Sequence, residues 1–324
     1  MKAVVVSRPG GPEVLEIREV PDPSPRAGWA LIRVRAFGIN RSEVVTRATD
    51  SGHGVTFPRV LGIECAGEVI EAPDCEGLQP GQSVVALMGQ MGKEIDGSYA
   101  ELLSVPATSV IPITTSLDWS ELAAIPESYG TAWGSVVNTL GLRKGQSILI
   151  RGATSSVGMA ALSIARSLGA TVVATTRDKK KEPSLLGAGA DVVLIDGGSI
   201  ATAVREALPD GATVALELVG PVTTIDSSRA LAERGVVCVT GFLGNSWDFD
   251  QLTGKLGPVR LARFRSGVIT RATYGSTLQR IVEGVEEGAY RPNIAGVFQL
   301  EEIAEAHRTM ESNAVCGKLV AVVP

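Results

Sequence analysis

One segment, residues 147–177, limits the fold of this chain more than any other. It begins with the apolar run SILIRG, passes through the small residues ATSS, and continues as the helix-like VGMAALSIARSLG before a second apolar run, TVVATTR. Apolar runs that alternate with helices are typical of parallel strands in a sheet covered on both faces. We therefore expect a strand-turn-helix-strand unit here.

The same alternation continues down the chain. Further strands are predicted at DVVLID, TVALELVG and GVVCVTGF, and further helices at ATAVREAL and around IDSSRALAE. Before this region, short strand signals such as WALIRVRAFGIN are separated by Pro and Gly, which favours a β-rich domain. After it, the sequence predicts helices at LQRIVEGVEEG and EEIAEAHRTMES and a final strand at KLVAVV. The expected fold class is α/β, with a doubly wound parallel sheet and a separate β-rich domain.

The turn inside the first unit has the spacing of a dinucleotide-binding loop. In the G-x-G-x-x-G pattern the glycines allow a tight turn, close approach of a pyrophosphate, and close packing of helix and strand. Those three places hold Ala153, Ser155 and Gly158. The Ser155 hydroxyl can donate to a phosphate, and the N-terminus of the following helix stabilises an anion. The loop therefore predicts a nucleotide site.

The end of the second strand distinguishes between two nicotinamide cofactors. NAD sites commonly place an acidic residue there, whereas NADP sites supply a cation for the extra phosphate. The chain has Thr176 and Arg177 there, with Lys181 as a second cation. Asp178 could instead reach the ribose. We expect NADPH to be preferred over NADH.

Composition excludes several classes of partner. A net charge of −5 without a long basic run argues against nucleic acid, and the basic segment VRLARFR is expected to be a solvated loop or helix face. No segment predicts a signal peptide or a membrane span, so we expect a cytoplasmic protein without a membrane partner. His307 falls in a helix-like segment, where a surface or packing role is expected rather than ligation, and His53 is expected to lie in a loop at the substrate mouth.

Several segments together resemble the medium-chain dehydrogenase/reductase superfamily, and within it the zinc-independent quinone oxidoreductases related to zeta-crystallin. The resemblance rests on GINRSEVVTR, FPRVLGIECAGEV, LAAIPESYGTAW, RGATSSVG, VTGFLGN and FQLEEIAEAHRTMESNAVCGKLV. It implies a GroES-like β-rich catalytic domain at residues 1–120 and 272–324, and a Rossmann NADP-binding domain at 121–271. It also implies a homodimer joined by the edge strands of two Rossmann sheets, around FRSGVIT.

The resemblance implies a reaction that uses no metal. Zinc members of the superfamily carry Gly-His-Glu where this chain has Gly62, Ile63 and Glu64, so the metal-binding histidine is replaced. The implied reaction is hydride transfer from NADPH to a quinone. Two alternatives stay open: reduction of an alkenal, enone or enoyl thioester on the same scaffold, and an NADPH-binding structural or regulatory protein without turnover.

The resemblance also assigns roles to individual residues. Asn40 would lie near the nicotinamide, and Tyr129 in the acceptor pocket. The remaining cofactor-binding residues would be Thr131, Ser155, Ser156, Val157, Thr176, Arg177, Gly241, Phe242, Gly244, Asn245, Val268, Ile269 and Lys318. Val268 and Ile269 are expected in the last cofactor-lining strand. One departure is Val45, where quinone reductases of this group usually have a tyrosine.

Overall fold

The computed structural model describes residues 1–49 and 54–324, so His53 lies outside the described residues. The chain divides into two compact units. Unit 1 consists of Met1–Gly130, Gly267–Glu286 and Ile294–Pro324, and unit 2 consists of Thr131–Ser266 and Glu287–Asn293. Among the residues described, no helix combines the length and the apolar character needed to cross a bilayer.

The first part of unit 1 is rich in short strands, as the Pro- and Gly-punctuated sequence predicts. The strands are β1 (Lys2–Val6), β2 (Leu15–Glu19), β3 (Trp29–Ile39), β4 (Arg59–Val60), β5 (Glu64–Glu71), β6 (Ser83–Leu87), β7 (Leu102–Pro106) and β8 (Val110–Pro112). The helices are α1 (Arg41–Ala48), α2 (Trp119–Ala123) and α3 (Pro126–Trp133), the last of which continues into unit 2.

Unit 2 is a doubly wound domain. Its strands are β9 (Ser147–Arg151), β10 (Thr171–Thr176), β11 (Val192–Ile195), β12 (Ala212–Glu217), β13 (Leu231–Val239) and β14 (Arg260–Arg263), and its helices are α4 (Ser156–Ser167), α5 (Glu182–Ala188), α6 (Ala201–Ala207) and α7 (Pro221–Arg229). The strands are all parallel, in the order β11-β10-β9-β12-β13-β14. This is the strand order of a dinucleotide-binding sheet, so the predicted α/β class is confirmed.

The chain then returns to unit 1 through α8 (Arg271–Glu286), β15 (Ile294–Gln299), α9 (Ile303–Glu311) and β16 (Lys318–Val322). Strand β16 runs antiparallel to β3, with Leu319 opposite Ile39. Strand β3 also pairs with β5, where Ala36 lies opposite Ala66. Strand β3 therefore brings the beginning of β16 and the beginning of β5 to the same end of one sheet.

Two predictions about the outermost strand of the parallel sheet are wrong. The basic segment VRLARFR was expected as a loop or helix face, but it contains the edge strand β14, because residues 260–263 pair with β13. Residues 264–270, expected as the edge strand and as the last cofactor-lining strand, instead contain a short 3-10 helix at Ser266–Val268. Their apolar residues Val268 and Ile269 resemble strand residues in sequence, although they form no ladder.

Candidate functional site

The loop between β9 and α4 forms a tight turn that ends at the start of a helix. Gly152 adopts a φ of +81°, a conformation that glycine accepts without steric cost. The residue that makes the turn is therefore Gly152, one place before the predicted Ala153. A Cβ atom on Gly158 would lie 2.5 Å from the carbonyl oxygen of Ala153, so this glycine allows the helix to lie close to the loop.

Ser155 caps helix α4 with its side chain. Its hydroxyl donates to the carbonyl oxygen of Gly152 at 2.9 Å and accepts the N–H of Gly158 at 3.2 Å. In this structure the hydroxyl proton is directed at Gly152, and donation from Ser155 to a phosphate stays a prediction. Ser156 and Val157 occupy the first two helical positions, where a backbone N–H has no intrahelical acceptor. These two N–H groups at a helix N-terminus suit a phosphate group.

The end of β10 supplies one exposed cation and one acidic residue turned into its own loop. Arg177 is exposed, whereas Thr176 is buried and its hydroxyl accepts the N–H of Asp178 at 3.1 Å. A carboxylate oxygen of Asp178 accepts the N–H of Lys180 at 3.0 Å. Lys181 follows at the N-terminus of α5. This donor set fits a phosphate on the adenosine ribose.

A third loop follows β13 and lies at the same carboxyl end of the parallel sheet. It carries the predicted residues Gly241, Phe242, Gly244 and Asn245. The N–H of Gly244 donates to the carbonyl oxygen of Val219 at 2.8 Å, and a Cβ on Gly241 would overlap the backbone of Leu218. The carboxyl ends of β9, β10 and β13 therefore bring the predicted residues of these three loops to one end of the sheet, where nucleotides bind in doubly wound sheets.

Sequence reasoning missed a buried arginine at this carboxyl end of the parallel sheet. Arg151, the last residue of β9, forms a bidentate ion pair with Asp196 at 2.8 and 3.0 Å and a second ion pair with Asp226 at 2.9 Å. It also donates to the hydroxyl of Ser227, which in turn donates to buried Glu217. The sequence feature that could have indicated this network is a charged residue, Arg151, inside the otherwise apolar run SILIRG. This network fixes the strand end from which the nucleotide loop departs.

Unit 1 contains a buried cluster formed by Lys318, Asn40 and Glu64. The Lys318 ammonium lies 2.5 Å from Asn40 Oδ1 and 2.5 Å from Glu64 Oε1. Asn40 Nδ2 donates to the same Glu64 oxygen at 2.9 Å, and the N–H of Glu127 donates to Glu64 Oε2 at 2.7 Å. The sequence predicted Asn40 and Lys318 as site residues from distant segments, and the structure brings them together. Glu64 is a further member of the cluster that the prediction did not include.

The cluster depends on a glycine in β3. A Cβ atom on Gly38 would overlap both the Glu64 carboxylate and the side chain of Lys318. Only a residue without a side chain lets the ammonium and the carboxylate meet over this strand. The Lys318 side chain is only 3% exposed and that of Glu64 is fully buried, so this is a charged pair held away from water.

Asn40 is also fixed through its backbone. Its N–H donates to Glu43 Oε2 at 2.5 Å, and the N–H of Ile63 donates to Glu43 Oε1 at 2.8 Å. Burial raises the pKa of Glu43 to about 7. The carboxylate of Glu43 thus joins the start of α1 to the turn that precedes Glu64.

The other predicted site residues occupy separate places. Tyr129 and Thr131 are buried on α3. Val268 is 53% exposed at the end of the short 3-10 helix, whereas Ile269 is buried. The structure confirms that His307 packs inside helix α9, where it is fully buried.

The side chains around Glu64 do not fit a zinc ion. Zinc binds several converging nitrogen or sulfur ligands, whereas Ile63 offers a hydrocarbon side chain and Lys318 and Asn40 offer hydrogen-bond donors to Glu64. Across residues 1–49 and 54–324 no group of three or more His, Cys, Asp or Glu side chains could hold a metal. We derive no chemical step through zinc.

Comparison with protein families identifies both domains. Residues 26–115 match the alcohol dehydrogenase GroES-like domain, and residues 188–321 match the family described as zinc-binding dehydrogenase. The β-rich unit is therefore a GroES-like domain, as the resemblance implied.

Full-length relatives have reductase names. The chain is 27% identical to an acryloyl-coenzyme A reductase of Metallosphaera sedula, over 99% of both chains. It is 29% identical to a quinone oxidoreductase of Pongo abelii, over 100% of this chain and 98% of the relative.

Solved structures show the same fold. The crystal structure of AibC superposes with a TM-score of 0.87 at 30% identity, covering 100% of this chain and 96% of AibC. Mycobacterial Rv1454c, solved in complex with NADPH, superposes with a TM-score of 0.88 at 25% identity, covering 99% of each chain.

Proposed function

Because the chain belongs to the quinone oxidoreductase branch of the medium-chain dehydrogenase/reductase superfamily, we propose that it is an NADPH-dependent reductase of quinones. The observation that carries this proposal is the buried cluster of Lys318, Asn40 and Glu64. A fixed ammonium in a site of low polarity stabilises negative charge far better than water does. An acceptor that gains a pair of electrons places that charge on its oxygen.

Each member of the cluster has a distinct part in this proposal. Bound NADPH would supply the hydride, Asn40 would contact the nicotinamide, and the reduced acceptor would take its proton from water. Lys318 has three N–H donors, of which its contacts with Asn40 and Glu64 use two. The third would donate to the acceptor oxygen as negative charge develops there. Glu64 keeps the ammonium in place and balances its charge, while positioning supplies the rest of the catalysis.

The cofactor preference is proposed from the end of β10. Arg177 is exposed and available to the extra phosphate of NADPH, while the Asp178 carboxylate accepts a hydrogen bond from the backbone of its own turn. The N–H groups of Ser156 and Val157, at the N-terminus of α4, would hold the pyrophosphate. An NADPH-bound structural relative at 25% identity supports a nicotinamide cofactor.

A second candidate is reduction of an enoyl thioester. It is favoured by the relative named acryloyl-coenzyme A reductase, which matches 99% of this chain. Val45, where quinone reductases of this group usually have tyrosine, also weakens the assignment to quinones. The two acceptors are electronically alike, since both spread the incoming charge onto a carbonyl oxygen.

NADPH oxidation, followed by absorbance with a panel of quinones, enals and acryloyl-coenzyme A, tests the proposal. We expect at least one quinone to accelerate oxidation in wild type, and Lys318→Met to lose most of that rate while NADPH still raises the melting temperature. Faster turnover of the thioester than of every quinone would select the second candidate. If NADPH binds but no acceptor is reduced, the protein is a binding protein without turnover.

We also propose a homodimer joined through the free edge of β14, the outermost strand of the parallel sheet. An edge strand presents unpaired backbone groups that a second copy can satisfy. Light scattering at micromolar concentration tests this: we expect the mass of two chains, and the mass of a single chain would contradict the proposal.

A further inference from the structure

A chain of buried polar side chains crosses unit 1 beside the cluster of Lys318. It consists of Glu43, Tyr99, His307 and Arg47, each no more than 2% exposed. The Tyr99 hydroxyl lies 3.0 Å from Glu43 Oε2 and 3.0 Å from His307 Nε2. His307 Nδ1 lies 3.0 Å from an Arg47 guanidinium nitrogen. The proposed reaction assigns no role to any of these four residues.

The position of each proton in this chain follows from the chemistry of Arg47. A guanidinium only donates, so His307 Nδ1 accepts and Nε2 carries the ring proton. His307 then donates to Tyr99, and Tyr99 donates to the Glu43 carboxylate. Burial, together with the charge of Arg47, lowers the pKa of His307 to about 3, so the ring is neutral. The hydrogen bonds therefore run in one direction, towards Glu43.

Glu43 accepts two further hydrogen bonds from the backbone. One comes from Asn40 N–H and the other from Ile63 N–H. These two segments carry the side chains of Asn40 and Glu64, which meet at the Lys318 ammonium. The orientation of the Glu43 carboxylate thus sets the distance between the two acceptors of Lys318.

We infer that Glu43 is a positioning residue for the reaction, held in its productive orientation by Tyr99 and, through Tyr99, by His307 and Arg47. This inference rests on the proposed function, in which Asn40 and Lys318 contact the reacting molecules. An error of about 1 Å in the placement of such groups lowers a rate on the order of 100-fold. Glu43 is buried, and in this proposal it acts through the backbone of Asn40 and Ile63.

Protonation of Glu43 would break this arrangement. Its carboxyl would then hold a proton where Asn40 N–H, Ile63 N–H and the Tyr99 hydroxyl all donate. The charged and titratable groups around it are Lys318 of β16, Glu64 of β5, Arg47 of α1, His307 of α9 and Tyr99. Since His307 is neutral and Tyr99 has its pKa raised by burial, Glu43 is the member of the chain that titrates near neutral pH.

Glu43→Gln tests the inference, because an amide at this position must place one N–H against another donor. We expect kcat to fall on the order of 100-fold, while the NADPH dissociation constant stays within about two-fold of wild type, since Ser156, Val157 and Arg177, the residues proposed to hold its phosphates, do not depend on Glu43. Tyr99→Phe removes one hydrogen bond to the carboxylate, so we expect a smaller loss. Glu68→Gln, a carboxylate on β5 paired with Arg35, serves as the matched control and should keep the wild-type rate.

The dependence of kcat on pH separates positioning from a general loss of structure. In wild type we expect activity to fall as pH drops through the pKa of Glu43, near 7. Tyr99→Phe should move this acid limb to higher pH, because it removes a donor that favours the charged carboxylate. Glu43→Gln should abolish the limb. A limb that stays unchanged in both variants would overturn the inference.

Amide hydrogen exchange gives a result that does not depend on turnover. We expect the amides of Asn40 and Ile63 to exchange at least ten-fold faster in Glu43→Gln than in wild type, with no change in Glu68→Gln. If wild type reduces no acceptor yet these amides lose protection, the proposed function fails while the positioning role of Glu43 stands. If their exchange is unchanged, Glu43 does not hold them.

Discussion

The ammonium of Lys318 lies 2.5 Å from a carboxylate oxygen of Glu64, and both side chains are buried. Removing one member of a buried ion pair costs about 3–5 kcal/mol, because it leaves an uncompensated charge. We expect Lys318→Met to lower the free energy of unfolding by about this amount. The double variant Lys318→Met/Glu64→Gln should be more stable than the sum of the two single changes. Urea denaturation of the four proteins measures this, and strict additivity would contradict the pairing.

Gly38 is the residue that lets this pair form, so adding one methyl group there should disturb it. We expect Gly38→Ala to destabilise the protein by about 1–3 kcal/mol, as overpacking does, and to lower kcat through displacement of Lys318. Gly275→Ala is the matched control, since a Cβ on Gly275 would have no heavy atom within 4 Å and the residue lies inside α8. The control should be neutral or up to about 1 kcal/mol more stable.

Glu43 and His307 should have opposite effects on stability as the pH changes. The pKa of Glu43 is raised from 4.5 to about 7, so the folded protein holds an extra proton between these values. The pKa of His307 is lowered from 6.5 to about 3, so the unfolded chain holds the extra proton in that range. Between pH 4.5 and 6.5 the two contributions cancel.

In Glu43→Gln only the histidine contribution is left. The stability of that variant should therefore fall by ~1.4 kcal/mol per pH unit, relative to wild type, as the pH is lowered from 6.5 to 4.5. Urea denaturation at half-unit intervals measures the difference. Parallel curves for the two proteins would show that Glu43 does not titrate in this range.

Arg177→Ala tests the proposed preference for NADPH. A charge-assisted hydrogen bond to phosphate contributes about 1.5–3 kcal/mol, so NADPH affinity should fall at least about ten-fold. NADH affinity should be unchanged, because NADH lacks the phosphate. Arg166→Ala removes the same charge from the opposite end of α4 and should affect neither cofactor. Fluorescence titration measures both constants, and an unchanged ratio would remove Arg177 from the proposal.

The parallel sheet could be predicted from sequence because its strands are continuous apolar runs separated by helices with one apolar face. The edge could not. Strand β14, at the edge of the parallel sheet, is half polar, since Arg260 and Arg263 are exposed. Strand β15, at the edge of the sheet in unit 1, carries Val297 at 51% exposure. Neither strand has the clear periodicity that distinguishes a strand from a loop. The domain boundaries predicted after residues 120 and 271 stay predictions.

The candidate site was predictable only in part, for a related reason. Asn40 and Lys318 could be assigned from family motifs, but they lie 278 residues apart, and no local pattern indicates that they share Glu64. Likewise Ser155 could be assigned to the nucleotide loop, whereas the direction of its hydroxyl depends on the left-handed turn at Gly152. Such pairings arise from tertiary packing.

The return of the chain to unit 1 has a consequence for biosynthesis. All six strands of the parallel sheet lie between residues 147 and 263, so that sheet can assemble while the ribosome is still translating the rest. Glu64 is made before this sheet, whereas its cationic partner Lys318, 254 residues later in the chain, is made after it. In the nascent GroES-like unit the carboxylate of Glu64 therefore lacks its counterion, and a ribosome stalled shortly before residue 318 should carry a folded parallel-sheet unit and an incompletely folded GroES-like unit.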